Sequence, residues 1–308
     1  MERKEGLMSN NYHVPVMLQP CIDGLNIKPD GVYVDVTFGG GGHSKEILKH
    51  LGPKGRLIAF DQDPDAQANV PADDRFIFID QNFGFLKNNL RLKGFKQVDG
   101  ILADLGVSSH QFDVPQRGFS IRHNADLDMR MDQHRDLTAA EILNTYTEDK
   151  LHKIFGIYGE VKNAKSLARA IVTSRLEQPF TDIDSLKSAI AGYIPKGKEN
   201  KYLAQVFQAL RIEVNAEIQV LEDFLMQAAD VLKPGGHLVV MSYHSLEDRP
   251  VKNFMAKGKF QGEVEKDFFG NQQKPFNVIT RKAIIATDEE IAQNNRARSA
   301  KLRIAEKI

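Results

Sequence analysis

Four consecutive glycines, residues 39–42, follow an apolar, strand-like segment at residues 32–36 after two intervening residues. A glycine-rich turn at the carboxyl end of a first parallel strand is where doubly wound folds bind nucleotides, because a backbone without side chains lets a ligand approach its N–H groups. A bare glycine cluster can equally form a tight strand-to-helix turn that binds nothing. Other features of the sequence must decide between these two interpretations.

The first third of the chain alternates strand-like and helix-like segments. Apolar runs at residues 32–36, 55–60, 76–79 and 98–103 predict strands, and residues 44–51 predict a short helix. Nearly continuous apolar strands separated by helices are typical of a parallel sheet that is covered by helices on both faces. The predicted fold class is therefore α/β.

From residue 137 to about residue 201 the sequence carries helix signals only. Thr138 with Glu141, and Thr181 with Asp184, have the spacing of capping boxes. Apolar residues in this region also recur at helical spacing, in two groups. These are Leu151, Ile154, Phe155 and Tyr158, and then Ile183, Leu186, Ile190 and Tyr193.

Sheet-forming signals resume after this helical region. Residues 213–232 predict one long helix, residues 233–236 a turn, and residues 237–242 a strand, with further strands at residues 277–285 and 301–305. The α/β domain is thus interrupted after its fourth strand. We predict a discontinuous domain of residues 1–136 and 205–308, with an inserted all-helical domain of residues 137–204.

Composition limits the class of protein. The 308 residues suffice for roughly two domains, and 41 Lys and Arg balance 41 Asp and Glu, so any binding of a polyanion must come from local patches. The single cysteine, Cys21, excludes an internal disulfide framework and a cysteine-based zinc site. No apolar run reaches the roughly 20 residues of a membrane span, and residues 1–10 lack a signal-like segment. We expect a soluble, cytoplasmic protein.

The sequence also indicates which nucleoside cofactor the loop would bind. Asp61 follows the glycines by about 20 residues, where an acid can accept both ribose hydroxyls. Gly39, Gly41 and Ser44 fit a dehydrogenase pattern, G-x-G-x-x-S, which would imply NAD. Asp35 and Thr37, placed just before the glycines, instead fit the loop that binds S-adenosylmethionine. The later helix, Lys-Pro-Gly-Gly turn and strand also match such methyltransferases, so S-adenosylmethionine is favoured over NAD.

Eight motifs resemble one family closely, the ribosomal RNA small subunit methyltransferase H family, also called MraW. In chain order they are HVPVML (13–18), DVTFGGGGHS (35–44), DGILADLGVSS (99–109), RGFS (117–120), LDMRMD (127–132), FQALRIEVN (207–215), HSLEDR (244–249) and NNRARSAKLR (294–303). The resemblance covers nearly the whole chain. It implies a Rossmann-like class I methyltransferase sheet that carries an inserted helical domain.

The resemblance also implies an activity, the methylation by S-adenosylmethionine of the exocyclic N4 of one cytidine in the decoding region of 16S ribosomal RNA. The expected partner is 16S ribosomal RNA or the small ribosomal subunit, without a membrane, and a homodimer is left open. Two other classes remain at this point. One is a dehydrogenase, and the other is an RNA-binding or assembly factor that has kept the fold without catalysis.

The resemblance assigns cofactor contacts to seven residues, and the loop pattern adds Gly39. The seven are Gly41, Gly42, His43, Asp61, Phe83, Asp104 and Gln111. The chain departs from the family pattern at Pro20, Tyr202, Gln205 and Pro250, which puts local substrate contacts in doubt but leaves the cofactor site intact.

Cytosine N4 is a poor nucleophile, so an enzyme must align it and accept its amino hydrogens. Asp104, at the end of the fourth strand, is the residue predicted for this task, although an acid there can also merely cap a turn. His244 is a second candidate, as a substrate contact. Methylation at cytosine C5 would need a thiolate, and Cys21 is predicted to be buried and inert.

Candidate RNA contacts come from local basic patches. Lys and Arg outnumber Asp and Glu over residues 162–201. The candidate residues are Lys162, Lys165 and Arg169 in this region, and Arg117, Arg296 and Arg298 elsewhere. Four acids lack the pattern of a calcium loop and are predicted to form a charged helix face, without a metal. They are Asp126, Asp128, Asp132 and Asp136.

Overall fold

A seven-stranded sheet forms the centre of the protein in a computed structural model that describes residues 15–308. His13 and Val14 of the first motif lie outside the described residues. The strands are β1 (Val32–Asp35), β2 (Arg56–Asp61), β3 (Phe76–Asp80), β4 (Val98–Asp104), β5 (Leu232–Ser242), β6 (Glu265–Lys266), β7 (Gln272–Gln273), β8 (Phe276–Val278) and β9 (Lys301–Lys307). The sheet order is β3-β2-β1-β4-β5-β9-β8, while β6 and β7 form a separate hairpin.

Strands β1 to β5 pair in parallel, and β9 pairs antiparallel with both β5 and β8. The order reverses at β1, so β1 and β4 flank the point where a doubly wound sheet opens a crevice. The predicted Rossmann-like α/β sheet is confirmed.

Twelve α-helices lie within residues 15–308. They are α1 (Leu18–Leu25), α2 (Gly42–His50), α3 (Leu86–Leu92), α4 (Ser109–Asp113), α5 (Ala139–Thr145), α6 (Glu148–Ile157), α7 (Ala164–Glu177), α8 (Ile183–Ile190), α9 (Glu199–Asn215), α10 (Glu217–Val231), α11 (Ser245–Lys257) and α12 (Asp288–Gln293). Helices α3, α10 and α11 pack on one face of the sheet, and α1 and α2 pack on the other. Cys21 of α1 is fully buried, and its burial raises the pKa of the thiol well above its ordinary value.

Helices α5 to α9 lie between β4 and β5 in the chain and have a core of their own. This agrees with the prediction of a helical insertion after the fourth strand. The same core also includes Phe119 and Leu127 before it and Val214 after it. Helix α9 runs through residue 204, so the exact boundaries of the inserted domain stay a prediction.

Three local predictions were wrong. The single helix at 213–232 is divided, because Ala216 adopts a left-handed conformation with a φ of 51° between α9 and α10. The turn at 233–236 lies inside β5, where it shifts the register with β4 between Val98 and Gly100. The capping box of α8 is one residue later than predicted, with Asp182 and Ser185.

The acids at residues 126–136 do not form a helix face. Asp126 makes an isolated bridge to Asp182, and Asp128 pairs with Arg130 at 2.7 Å. The segment is irregular and is held by long-range hydrogen bonds, such as that from Met131 N to the side chain of Asn215. Among residues 15–308, no helix combines the length and the apolar character that crossing a bilayer requires.

Candidate active site

The loops at the carboxyl ends of β1 to β5 line a crevice. Its wall includes Thr37 after β1, Phe83 after β3 and Gly106 after β4. Glu217 at the start of α10 and Glu247 in α11 complete the opposite side. Because parallel strands end at one edge, residues that are far apart in sequence meet in this crevice.

The physical reason for glycine differs among the four positions of the loop. Gly39 and Gly41 adopt positive φ angles of 49° and 75°, which favour glycine. A Cβ at Gly41 would lie 2.9 Å from the ring of Phe38, and one at Gly42 would lie 2.2 Å from Pro15. Gly40 has neither constraint, since a Cβ there would have no heavy atom within 4 Å. Packing therefore explains Gly41 and Gly42, and only Gly40 is open to a ligand without an internal reason for glycine.

Asp35 supports the glycine loop from beneath. Its carboxylate accepts hydrogen bonds from the Ser44 hydroxyl at 2.7 Å and from Thr37 N at 3.1 Å. The side chain is buried, and this burial raises its pKa even though the hydrogen bonds favour the ionised form. Asp35 thus ties β1 to α2 across the loop.

Asp61 ends β2 and also holds the loop. Its two oxygens accept from Gly39 N at 2.7 Å and from Asp63 N at 2.9 Å. Burial raises the pKa of Asp61 to about 6, against the effect of these two bonds. A carboxylate has about four acceptor positions, so two remain for hydroxyl groups of a ligand.

Phe83 lies further along the same wall. Its ring makes an edge contact with Phe224 at a centroid distance of 5.4 Å. Nearby, the Asn82 amide donates to the Gln62 side chain at 2.7 Å. The half-buried ring and the two amides can receive a flat heteroaromatic ring with polar edges.

Asp104 stands at the end of β4, where the order of the sheet reverses. Its N–H donates to the Thr37 hydroxyl at 2.7 Å, and its Oδ1 accepts from the Tyr243 hydroxyl at 2.8 Å. Oδ2 lies 3.9 Å from Nδ1 of His43. Burial raises the pKa of Asp104 to about 6, while His43 and Tyr243 act in the opposite direction. His43 is itself buried, which lowers its pKa, and its Nε2 lies 3.2 Å from the Val16 carbonyl oxygen.

Four charged or titratable side chains form a cluster beside Asp104. Arg211 donates to both oxygens of Glu217, at 2.8 and 3.0 Å. Nε2 of His244 lies 3.1 Å from Glu247, and its Nδ1 is buried without a hydrogen-bond partner among the described residues. Burial raises the pKa of Glu217. Burial also opposes ionisation of Glu247, but the bond from His244 and the nearby Arg211 outweigh it and lower that pKa.

This cluster is relevant to two predictions, the absence of a metal and the contact of His244 with the substrate. Ligand atoms of Glu217, His244 and Glu247 lie within 4.8 Å of one another, which is close enough for a metal ion. The guanidinium of Arg211 already provides the positive charge beside these carboxylates. His244 has one ring nitrogen engaged by Glu247 and the other buried, and its predicted contact with the substrate stays a prediction.

Arg117 does not lie where the sequence prediction put it. It was predicted to contact RNA, but it is only 8% exposed and its guanidinium is occupied inside the protein. It pairs with Asp63 and Asp65, both at 2.9 Å, and donates to the Arg130 and Met131 carbonyl oxygens. The structure corrects this prediction, because a buried guanidinium with these partners has no access to a phosphate.

Gln111 belongs to the same internal network. Its amide donates to Asp63 at 2.7 Å and its oxygen accepts from Ser108 N, which caps α4. Gln111 therefore shapes the wall that Asp63 and Arg117 also support. Its predicted contact with a cofactor stays a prediction.

The remaining RNA candidates lie on the surface. Lys162, Lys165 and Arg169 are exposed on or just before α7, with Arg169 3.5 Å from Glu148. Arg298 is exposed, and the half-exposed Arg296 pairs with Asp113 at 2.9 Å. The surface position is compatible with the RNA contact predicted for these five residues.

The four departures from the family pattern lie within helices. Pro20 is in α1, and Pro250 is buried in α11. Tyr202 is buried in α9 and donates to Asn163, while Gln205 donates to the Glu160 carbonyl oxygen. Tyr202 and Gln205 thus stabilise the helical region and do not line the crevice.

Tyr243, Arg211, Glu217 and Glu247 were not among the predicted site residues. A signal existed for three of them, since Arg211 belongs to the FQALRIEVN motif, Glu247 to HSLEDR, and Tyr243 directly follows a buried strand. Glu217 gave no such signal, because its place in the crevice depends on the break between α9 and α10.

Comparisons with known proteins all indicate the same family. The model of the MraW methylase family matches residues 10–308. Proteins named ribosomal RNA small subunit methyltransferase H are similar over nearly their full length. The relative from Flavobacterium johnsoniae is 60% identical over 297 residues, covering 96% of this chain and 98% of its own. That from Cytophaga hutchinsonii is 58% identical, covering 96% and 99%, and that from Parabacteroides distasonis is 54% identical, covering both chains completely at 100%.

Proposed function

Because the chain belongs to the MraW methylase family, we propose that it methylates ribosomal RNA of the small subunit with S-adenosylmethionine as methyl donor. The more specific proposal is transfer to the exocyclic N4 of one cytidine in the decoding region of 16S ribosomal RNA. The substrate is the RNA or the small ribosomal subunit, which places the reaction in the cytoplasm.

The described crevice fits this cofactor. Gly40 leaves open space at the loop, and Asp61 keeps acceptor positions for ribose hydroxyls. Phe83 offers an apolar surface to an adenine ring. When bound, S-adenosylmethionine supplies a methyl group attached to positively charged sulfur. Gly39, Gly41, Gly42, His43, Asp104 and Gln111 complete the proposed cofactor-binding set.

The observation that carries the proposal is the environment of Asp104. Burial raises the pKa of this carboxyl to about 6, which is still below neutral pH, so its ionised form can accept a proton there. Tyr243 occupies Oδ1, which leaves Oδ2 to accept an N–H from the target amino group. The amino group must lose one proton when it gains a methyl group. Asp104 is the group that we propose to orient this amine and to take that proton.

Access to the crevice requires an unpaired or flipped base, since N4 is paired inside a duplex. We propose that the helical region, residues 137–204, contributes RNA contacts through Lys162, Lys165 and Arg169. Arg296 and Arg298, in the segment just before β9, are proposed to contact the RNA as well. Guanidinium groups suit phosphates and stacked bases.

The test is transfer of a labelled methyl group to small ribosomal subunits from cells that lack this modification, followed by nucleoside analysis. Label in N4-methylcytidine is the expected result. Label at another atom would contradict the proposed target. Binding of S-adenosylmethionine without any turnover would instead favour a non-catalytic assembly factor, and binding of NAD alone would favour a dehydrogenase.

A further inference from the structure

A second cavity lies on the flank of the sheet, between α11 and the chain that follows β8. Its volume is about 210 Å³. Ala256 of α11 and Val278 of β8 form partly exposed apolar walls, and Lys252, Arg281 and Arg303 add positive charge. We call these five residues and the space between them the flank pocket.

The three cations of the flank pocket differ in how they are held. Arg303 is buried and donates to both oxygens of Asp248, at 2.7 and 3.1 Å. Its charge is therefore compensated and its position is rigid. Lys252 and Arg281 are exposed, and no salt bridge to either forms within residues 15–308. These two cations are free to neutralise an anion from outside.

The flank pocket adjoins the active-site crevice. Asp248, which fixes Arg303, directly follows Glu247 of the crevice wall. Within the sheet, Met241 of β5 pairs with Asp104 on one side and with Leu302 on the other. Glu247 of the crevice and Lys252 of the flank pocket are five residues apart on α11, which is roughly 7.5 Å along a helix.

We propose that the flank pocket binds a nucleotide of the substrate RNA that lies beside the target cytidine, an inference that rests on the proposed function. The base packs against Ala256 and Val278, and its phosphate contacts Lys252 and Arg281. The assignment agrees with the way in which proteins bind unpaired nucleotides. A strand with a base turned into the crevice exposes its neighbouring bases, and proteins bind such unpaired nucleotides by combining apolar or stacking surfaces with cations.

The experiment compares the double variant Lys252→Ala/Arg281→Ala with the control Arg91→Ala/Lys96→Ala. Both pairs consist of one exposed Lys and one exposed Arg, and the control pair lies on and after α3. Unmodified small ribosomal subunits serve as the probe. The KM for subunits, the salt dependence of binding to them, the kcat and the affinity for S-adenosylmethionine are measured.

We expect the flank-pocket variant to raise the KM for subunits about tenfold and to flatten the salt slope by roughly 0.7 for each phosphate that it no longer neutralises. Its kcat and cofactor affinity stay unchanged, and the control behaves like wild type. An unchanged KM and salt slope, or an equal loss in the control, would overturn the assignment of the flank pocket to RNA. In that case turnover by the wild-type protein would still support the proposed function. If wild-type protein fails to methylate subunits, the proposed function is wrong and this inference falls with it.

Discussion

The hydroxyl of Tyr243 donates to Oδ1 of Asp104 at 2.8 Å, across the ends of two neighbouring parallel strands. The backbone N–H of Tyr243 in turn donates to Glu247 at 2.9 Å. This tyrosine therefore links the proposed proton acceptor to the charged cluster beside it. The bond holds one oxygen of Asp104 and favours its ionised form.

Tyr243→Phe should move the acidic limb of the pH profile of kcat to higher pH. Asp104 accepts a proton only when ionised, so activity is lost as pH falls through its pKa, which is about 6. Loss of the tyrosine bond raises that pKa further. Rates of methyl transfer measured from about pH 5 to about pH 9 test this shift of the acidic limb. The exposed Tyr193→Phe is the control, and a profile that is unchanged in Tyr243→Phe would contradict the proposed role.

Gly40→Ala should separate ligand binding from folding. A Cβ at this position meets no atom of the protein, and the backbone does not need a positive φ there. Stability should therefore be unchanged or slightly increased, while the affinity for S-adenosylmethionine falls. Calorimetric titration and thermal unfolding measure the two effects. In contrast, Gly41→Val should damage the fold as well, because of Phe38 and the φ of 75°. Normal cofactor binding by Gly40→Ala would place the ligand elsewhere.

Asp61→Ala should weaken binding of S-adenosylmethionine by roughly 1–3 kcal/mol, the scale for unpaired polar groups. Part of this loss comes from the loop itself, since Gly39 N and Asp63 N lose their acceptor. Asp80→Ala is a matched control, because Asp80 is an exposed acid at the end of the adjacent strand β3. Equal affinities of the two variants in calorimetric titration would refute the ribose assignment.

Replacement of Lys162, Lys165 and Arg169 by Ala should weaken RNA binding and flatten its salt dependence by roughly 0.7 to 0.9 for each phosphate that is no longer neutralised. All three side chains are exposed, so folding should not change. The affinity for S-adenosylmethionine and the identity of the methylated atom should also be preserved. Titrations at several salt concentrations, with a triple variant of Arg91, Lys93 and Lys96 as control, would detect the effect. A wild-type slope in the test variant would mean that these charges are only solvated surface.

Arg117→Met should lower stability by about 3–5 kcal/mol, because it leaves Asp63 buried without its ion partner. The exposed Arg122→Met, five positions along the same loop, should have little effect. Urea unfolding measures both changes. A stable Arg117→Met protein with weakened RNA binding would restore the original surface prediction.

Local sequence patterns were sufficient to predict several features. Alternating apolar segments predicted the parallel strands, and the glycines after β1 marked the crevice, because both signals depend on residues close together in the chain. The family resemblance likewise indicated Asp61, Phe83 and Asp104, which lie at or just after the ends of β2, β3 and β4. In the glycine loop, however, sequence alone could not separate packing at Gly42 from open space at Gly40.

The tertiary structure decided which side chains meet and which are buried. Tyr243 and Asp104 are 139 positions apart, and their bond exists only because β4 and β5 are adjacent. The burial of Arg117 depends on Asp63 from a distant loop, and the place of Glu217 depends on the left-handed turn at Ala216. Local propensity governs the formation of helices and strands, whereas burial and charge pairing depend on contacts between remote segments. For this reason the parallel strands and their glycine-rich edge could be predicted from the sequence, whereas the partners of Asp104 and the interior position of Arg117 depend on the folded chain.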